Sequence, residues 1–198
     1  MKKIFVSIAG LIAAFLLAWS CSFESRPAGT SSPSVVRAVA TGQFAVTDGR
    51  LFDANGNEFI LRGINHPHSW FVDRTFTALS GIKGTGANSV RVVLSNGARW
   101  IRNSAADVAN VIDVCKQNRL IAVLEVHDTT GYGEDAAACS LQEAAQYWID
   151  IKSALEGQEA YVILNIGNEP YGNINYDGWV SDTIDAIAAM RNAGLTHT

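Results

Sequence analysis

From residue 43 onward, short apolar runs alternate with stretches in which apolar residues recur every three or four positions. Phe44 to Thr47 and Leu51 to Asp53, separated by Asp48-Gly49, predict a small β-hairpin, and Asn55-Gly56 offers a second tight turn. Four further strands are predicted at Phe59 to Ile64, Ser89 to Leu94, Leu120 to Val126 and Tyr161 to Ile166. They are apolar rather than cleanly alternating, as expected for a parallel sheet covered on both faces. A helical pattern follows each one: Arg74 to Lys83, a segment ending at Gln117, another ending near Leu155, and Tyr176 to Asn192. The second and third open with Ser104-Ala105-Ala106-Asp107 and Ser140-Leu141-Gln142-Glu143, where a serine three residues before an acid forms a capping box. Leu141, Ala144, Ala145, Trp148, Ile151 and Leu155 form a single stripe on the third helix, which makes Trp148 a core residue.

The result is four βα units of roughly 30 to 40 residues each, the scale of a βαβ element. Polar residues gather at the carboxyl end of every strand: Asn65-His66-Pro67-His68, Ser95-Asn96, His127-Asp128 and Asn168-Glu169. That placement is the mouth of a (β/α)8 barrel. The expected fold is therefore α/β, a (β/α)8 TIM barrel of which the chain supplies about the first four units after an N-terminal hairpin. A complete barrel takes about 250 residues. The 198 residues read as the amino-terminal half of a longer protein, with Leu195-Thr196-His197-Thr198 where a fifth strand would begin.

Ahead of residue 43 the pattern changes. Lys2 and Lys3, the apolar run Ile4 to Ala18, and Ala18-Trp19-Ser20 have the form of a signal peptide over residues 1–20. The run is short for a membrane span, which needs about 20 residues. Cys21, directly after the cleavage site, permits a lipid anchor; either way the mature chain is expected outside the cytoplasm, secreted, extracellular or periplasmic. Residues 21–42 are rich in Ser, Pro, Thr and Ala and read as a linker, leaving 43–198 as a partial catalytic domain. Without Lys2 and Lys3, thirteen basic residues face nineteen acidic ones, and no basic run is present, which argues against a nucleic-acid partner. Cys115 and Cys139 fit either a disulfide or two buried thiols.

The candidate chemistry starts at Asn168-Glu169, where an apolar strand gives way to an amide and a carboxylate. A sheltered carboxyl group there can act as a general acid, and an adjacent amide can hold a sugar hydroxyl. Arg91, set among β-branched residues, needs an acidic partner, and Glu125 in the next strand is the candidate. His127 shares the strand face of Glu125 and should point into the barrel, toward substrate or a carboxylate. His66-Pro67-His68 has the His-x-His form that opens metal-binding amidohydrolase-type barrels, although in sugar chemistry both imidazoles would serve as hydroxyl partners. Trp70, Phe71, Trp100, Tyr132 and Tyr171 lie in loops on the same rim, where exposed aromatic faces suit sugar rings.

Gly63-Ile64-Asn65-His66-Pro67-His68-Ser69-Trp70-Phe71, Val90-Arg91-Val92-Val93-Leu94-Ser95-Asn96-Gly97, Leu124-Glu125-Val126-His127-Asp128-Thr129-Thr130-Gly131-Tyr132-Gly133 and Asn165-Ile166-Gly167-Asn168-Glu169-Pro170-Tyr171-Gly172-Asn173 occur in that order. Together they resemble the bacterial endo-β-1,4-mannanase branch of glycoside hydrolase family five, from about Gln43 to the end. The resemblance implies a retaining hydrolase of β-mannan-type polysaccharides, with no cofactor or metal, monomeric when full length. It implies Glu169 as acid/base, with Asn168, Arg91, His127, His66 and Trp70 binding substrate. The family's nucleophile is a second glutamate at the end of the seventh strand, and nothing in this chain matches it. A β-1,4-glucanase of the same family is the alternative activity, and a non-catalytic carbohydrate-binding cell-surface module the alternative of another class.

Overall fold

The computed structural model describes residues 41–174 and 176–198. The expected signal peptide, Cys21 and all but the last two residues of the linker lie outside them. Strands β1 (Ala45–Thr47) and β2 (Arg50–Phe52) pair antiparallel across a turn in which Asp48 and Gly49 both take positive φ. The hairpin buries Phe44 and Phe52, and the Phe44 ring meets Phe59 edge-on at 5.3 Å. The Phe44 backbone N–H donates to Glu159, and Thr198 Oγ1 donates to the Phe44 carbonyl, so the hairpin is stitched to the amino-terminal side of the main sheet.

That sheet consists of β3 (Gly63–His66), β4 (Ser89–Leu94), β5 (Ile121–Val126) and β6 (Val162–Asn165), parallel and adjacent in chain order. Helices α1 (Thr75–Gly84), α2 (Ala105–Gln117), the pair α3 (Leu141–Asp150) and α4 (Lys152–Leu155), and α5 (Trp179–Asn192) follow the four strands in turn. Register sets the two faces of the sheet. Arg91 lies opposite Val123, Val93 opposite Glu125, and Glu125 opposite Asn165. Because side chains alternate along a strand, one face carries Val90, Val92, Leu94, Ala122, Leu124, Val126 and Val162, all buried in a single core with Leu79, Val108, Ile112 and Trp148. The opposite face carries Arg91, Glu125 and Asn165, and a single residue of slip would exchange the two sets.

Both expected helix starts are present. The Ser104 side chain accepts from Asp107 N–H, and Ser140 and Glu143 complete a reciprocal capping box. Trp148 is fully buried, with Nε1–H donating to Ile166. Three boundaries differ from expectation. The first sheet strand starts at Gly63 rather than Phe59, because residues 59–62 are held elsewhere: Phe59 N–H donates to Leu51, and the Asn88 side chain bonds Ile60 and Arg62. Gly63 then lies so close to β4 that a Cβ there would stand 2.6 Å from Ser89 Oγ. The third helix breaks at Ile151, and the last begins at Trp179 after a turn closed by Tyr176. Cys115 and Cys139 are buried free thiols, pushed up by burial to about 12 and about 11. Among the described residues no helix is long and apolar enough to cross a membrane.

Candidate active site

The polar face of the sheet is organised around Glu125. Its Oε1 lies 2.9 Å from His127 Nδ1 and 3.3 Å from Arg91 Nη2. Strand periodicity explains the set: His127 is two residues beyond Glu125, and Arg91 precedes Val93, the register partner of Glu125. His127 Nδ1 is thus engaged by Glu125, and Nε2 is the ring nitrogen that remains for another partner. Burial pushes the Glu125 carboxyl above its ordinary range; the hydrogen bond from His127 and the charge of Arg91 pull the other way. Its second oxygen is buried with no hydrogen-bond partner among the described residues.

Arg91 also reaches the next strand end. Its Nη2 donates to Asn168 Oδ1 at 2.6 Å, and Asn168 Nδ2 donates to Thr130 Oγ1 at 2.8 Å. The backbone there is equally fixed: Asn168 N–H donates to Val126, Thr129 Oγ1 to the Asn168 carbonyl, and Gly131 N–H to the Glu169 carbonyl. Thr129 fits this close only because residue 167 is glycine, where a Cβ would stand 2.6 Å from Thr129 Oγ1. Glu169 itself is exposed, not sheltered, and adopts φ 38°, a left-handed conformation unusual for a residue with a side chain.

The aromatic rim converges on His127. Trp70 and Trp100 meet edge-on at 5.0 Å, and each approaches the His127 ring, at 5.3 and 5.7 Å. Trp70 is 42% exposed and Phe71 51%. On the other side of the Asn168-Glu169 corner, Tyr132 and Tyr171 stand edge-on at 5.9 Å, beside a cleft of about 430 Å³ lined by Glu134 and Asp135. The Tyr171 hydroxyl donates to the Asp182 carboxylate.

His66 departs from its expected role as a substrate ligand. It pairs with Val92, so its side chain shares the parity of the apolar face and is buried. Its Nε2 lies 2.8 Å from Thr75 Oγ1, and His68 Nδ1 lies 2.6 Å from the same oxygen, with His68 Nε2 3.1 Å from Asp107. Burial, with His68 alongside, holds the His66 imidazole below its usual range. The two histidines are thus spent on a threonine and an aspartate behind the sheet. Among the described residues no group of three or more His, Cys, Asp or Glu side chains is placed to hold a metal ion. Sequence pattern assigns no role to Thr75, Asn103 or Asp128. Asp128 was visible as a strand-end carboxylate, whereas nothing in the spacing of Thr75 or Asn103 marks them.

Residues 52–198 match the Cellulase family, glycosyl hydrolase family 5. The chain belongs to that family. It is 57% identical over 160 residues to a mannan endo-1,4-beta-mannosidase of Cellvibrio japonicus, covering 80% of this chain and 37% of that protein. A beta-mannanase/endoglucanase A of Caldicellulosiruptor saccharolyticus is 60% identical over 139 residues, covering 70% of this chain and 10% of that one. Among solved structures, the mannohexaose complex of Thermomonospora fusca beta-mannanase superposes with a TM-score of 0.77 at 57% identity, over 79% of this chain and 53% of that one. The chain therefore spans about half the length of that solved relative, and less of the curated ones. Within the family 5 framework, the four parallel βα units are units of a (β/α)8 barrel, and the Arg91–Glu125–His127 cluster and the Asn168-Glu169 corner lie on its lumen side and at its mouth.

Proposed function

We propose that the complete protein is an endo-β-1,4-mannanase that hydrolyses internal mannosidic bonds with retention of configuration, with Glu169 as acid/base. The observation that carries the reading is the 2.6 Å hydrogen bond from Arg91 to Asn168, which fixes the Asn168-Glu169 corner beside an exposed aromatic wall. Glu169 protonates the glycosidic oxygen of the leaving sugar and later takes the proton of the hydrolytic water. Asn168 holds a sugar hydroxyl, Arg91 keeps the Asn168 amide oriented, and His127, with Nδ1 engaged, offers Nε2 to substrate. Trp70 and Trp100 stack on the apolar faces of mannose rings. The nucleophile is a second carboxylate, about 5 to 5.5 Å from Glu169, and no residue of this chain matches its motif.

A β-1,4-glucanase activity is the second reading, supported by the relative named for both mannanase and endoglucanase. Reducing-sugar release by the full-length protein from mannan and from carboxymethylcellulose separates the two. Faster release from mannan is expected, and release from cellulose alone overturns the mannanase reading. The amino-terminal segment supports export by secretion, with lipid attachment at Cys21 as the second route, and a monomeric mature enzyme completes the proposal.

A further inference from the structure

Trp70 and Trp100 belong to different loops, yet their rings meet edge-on at 5.0 Å with the His127 ring packed against both. Directly behind them lie two buried polar side chains that the proposed reaction does not use. Asp128 is fully buried; its Oδ1 accepts from Ser95 Oγ at 2.9 Å and from Arg99 N–H at 2.8 Å, and its Oδ2 accepts from Asn96 N–H at 3.3 Å. Asn103, also buried, accepts at Oδ1 from Ser95 N–H at 2.8 Å and from Ser69 Oγ at 2.9 Å, and donates through Nδ2 to Asp107 at 2.7 Å. Ser69 precedes Trp70 and Arg99 precedes Trp100. The Arg99 guanidinium lies 4.7 Å over the Trp100 ring while bonding the Thr130 carbonyl and Asp135.

We infer that Asp128 and Asn103 are positioning residues that splice the loops after β3, β4 and β5 at Ser95 and so preset the Trp70–Trp100 wall for a sugar ring. This rests on the glycan-hydrolase reading of the site. A carboxylate is acceptor-only, so all three donors onto Asp128 must aim at it, and charge assistance makes such bonds short and strong. A wall ordered before the ligand arrives spares the ligand the ordering of two large side chains. The benefit therefore falls on substrate binding more than on the chemical step.

The test uses the full-length enzyme and mannohexaose, or cellohexaose if the wild type prefers it. Asp128→Asn replaces one acceptor with an amide that faces a donor. The expected result is a KM raised by roughly two- to tenfold, the affinity equivalent of ordering a large side chain, with kcat retained. Combined with Trp100→Ala, it should add nothing to the KM of Trp100→Ala alone. Independent of any substrate, the exciton couplet of the two edge-on indoles in circular dichroism, assigned through Trp70→Ala, should vanish in Asp128→Asn. Multiplying KM effects in the double variant, a loss confined to kcat, or an unchanged couplet would overturn the inference. If Asp128→Asn does not fold, Ser95→Ala removes one donor and should show a smaller KM rise and a weakened couplet; neither changing would also overturn it. A wild type that cleaves neither sugar defeats the glycan-hydrolase reading, while the couplet still decides whether the splice sets the wall.

Discussion

Two histidine-bearing regions flank the same sheet and are built in opposite ways. In front, His127 meets Glu125, Arg91 and, through Arg91, Asn168, in a partly open cluster with a ring nitrogen left for a ligand. Behind, His66 and His68 close on Thr75 and Asp107, and both rings are buried. In sequence the two look alike, as histidines at the carboxyl end of a strand followed by loop residues. Parity along the strand decides between them: His127 falls in step with Glu125, and His66 falls in step with Val92. A strand-end histidine is thus a ligand candidate only on the residue count that faces the barrel axis.

The sharpest break of this contrast is chemical. Glu169→Gln in the full-length enzyme should lower kcat by about 10²- to 10⁴-fold, the range for removing a general acid, while mannohexaose binding and thermal midpoint hold. Turnover near wild type in initial-rate assays would remove Glu169 from the reaction. Next comes Arg91→Met, which strands the buried Glu125 carboxylate. Breaking a buried pair costs about 3 to 5 kcal/mol, and the low end applies because Arg91 is 26% exposed and His127 still serves Glu125. Urea unfolding measures it, and activity should fall as well because Asn168 loses its anchor.

On the rear cluster, Thr75→Val should cost about 1 to 3 kcal/mol, the penalty for leaving buried polar groups unmatched, with kcat per folded molecule unchanged. A kcat loss as large as that of Arg91→Met would erase the front–back distinction. The smallest effect is on pH dependence. His66 and His197 are both held below the ordinary imidazole value of 6.5, chiefly by burial. Their neutral forms therefore stabilise the fold fully above pH 6.5, and that stability is lost as pH falls from there through the folded values, by at most about 1.4 kcal/mol per pH unit for each ring. Glu125 acts in the opposite sense: its raised pKa favours the fold at low pH and that contribution is lost as pH rises through the folded value. Melting curves between pH 7 and 5 should fall less steeply for His66→Gln, which keeps a donor toward Thr75, than for wild type.

Much of this was legible beforehand because it depends on period. The six residues of β4 and the capping boxes at Ser104 and Ser140 follow from local pattern, and alternation places Glu125 and His127 on one face, to which the β4–β5 register adds Arg91. What escaped depends on contacts distant in sequence. Phe59 to Leu61 has the apolar content of a strand but is claimed by the hairpin and by Asn88, which no local window reveals. Asn103 lies 34 residues from Ser69 and Thr75 nine from His66, so their roles exist only once β3, β4 and α2 are assembled. The exposure of Glu169 differs for a related reason: the strand approaching it is apolar, but the corner turns outward at a left-handed residue.

That corner sets two selective pressures against each other. A left-handed backbone at a side-chain-bearing residue costs roughly 1 kcal/mol or more, and glycine would relieve it. Variants screened for heat resistance alone would therefore tend to accumulate Glu169→Gly, each gaining a little in melting temperature and losing the proposed acid. Stabilising this scaffold by directed evolution needs an activity screen at every round, because of the three left-handed side-chain-bearing residues, Asp48, Arg119 and Glu169, one is the residue proposed as the acid.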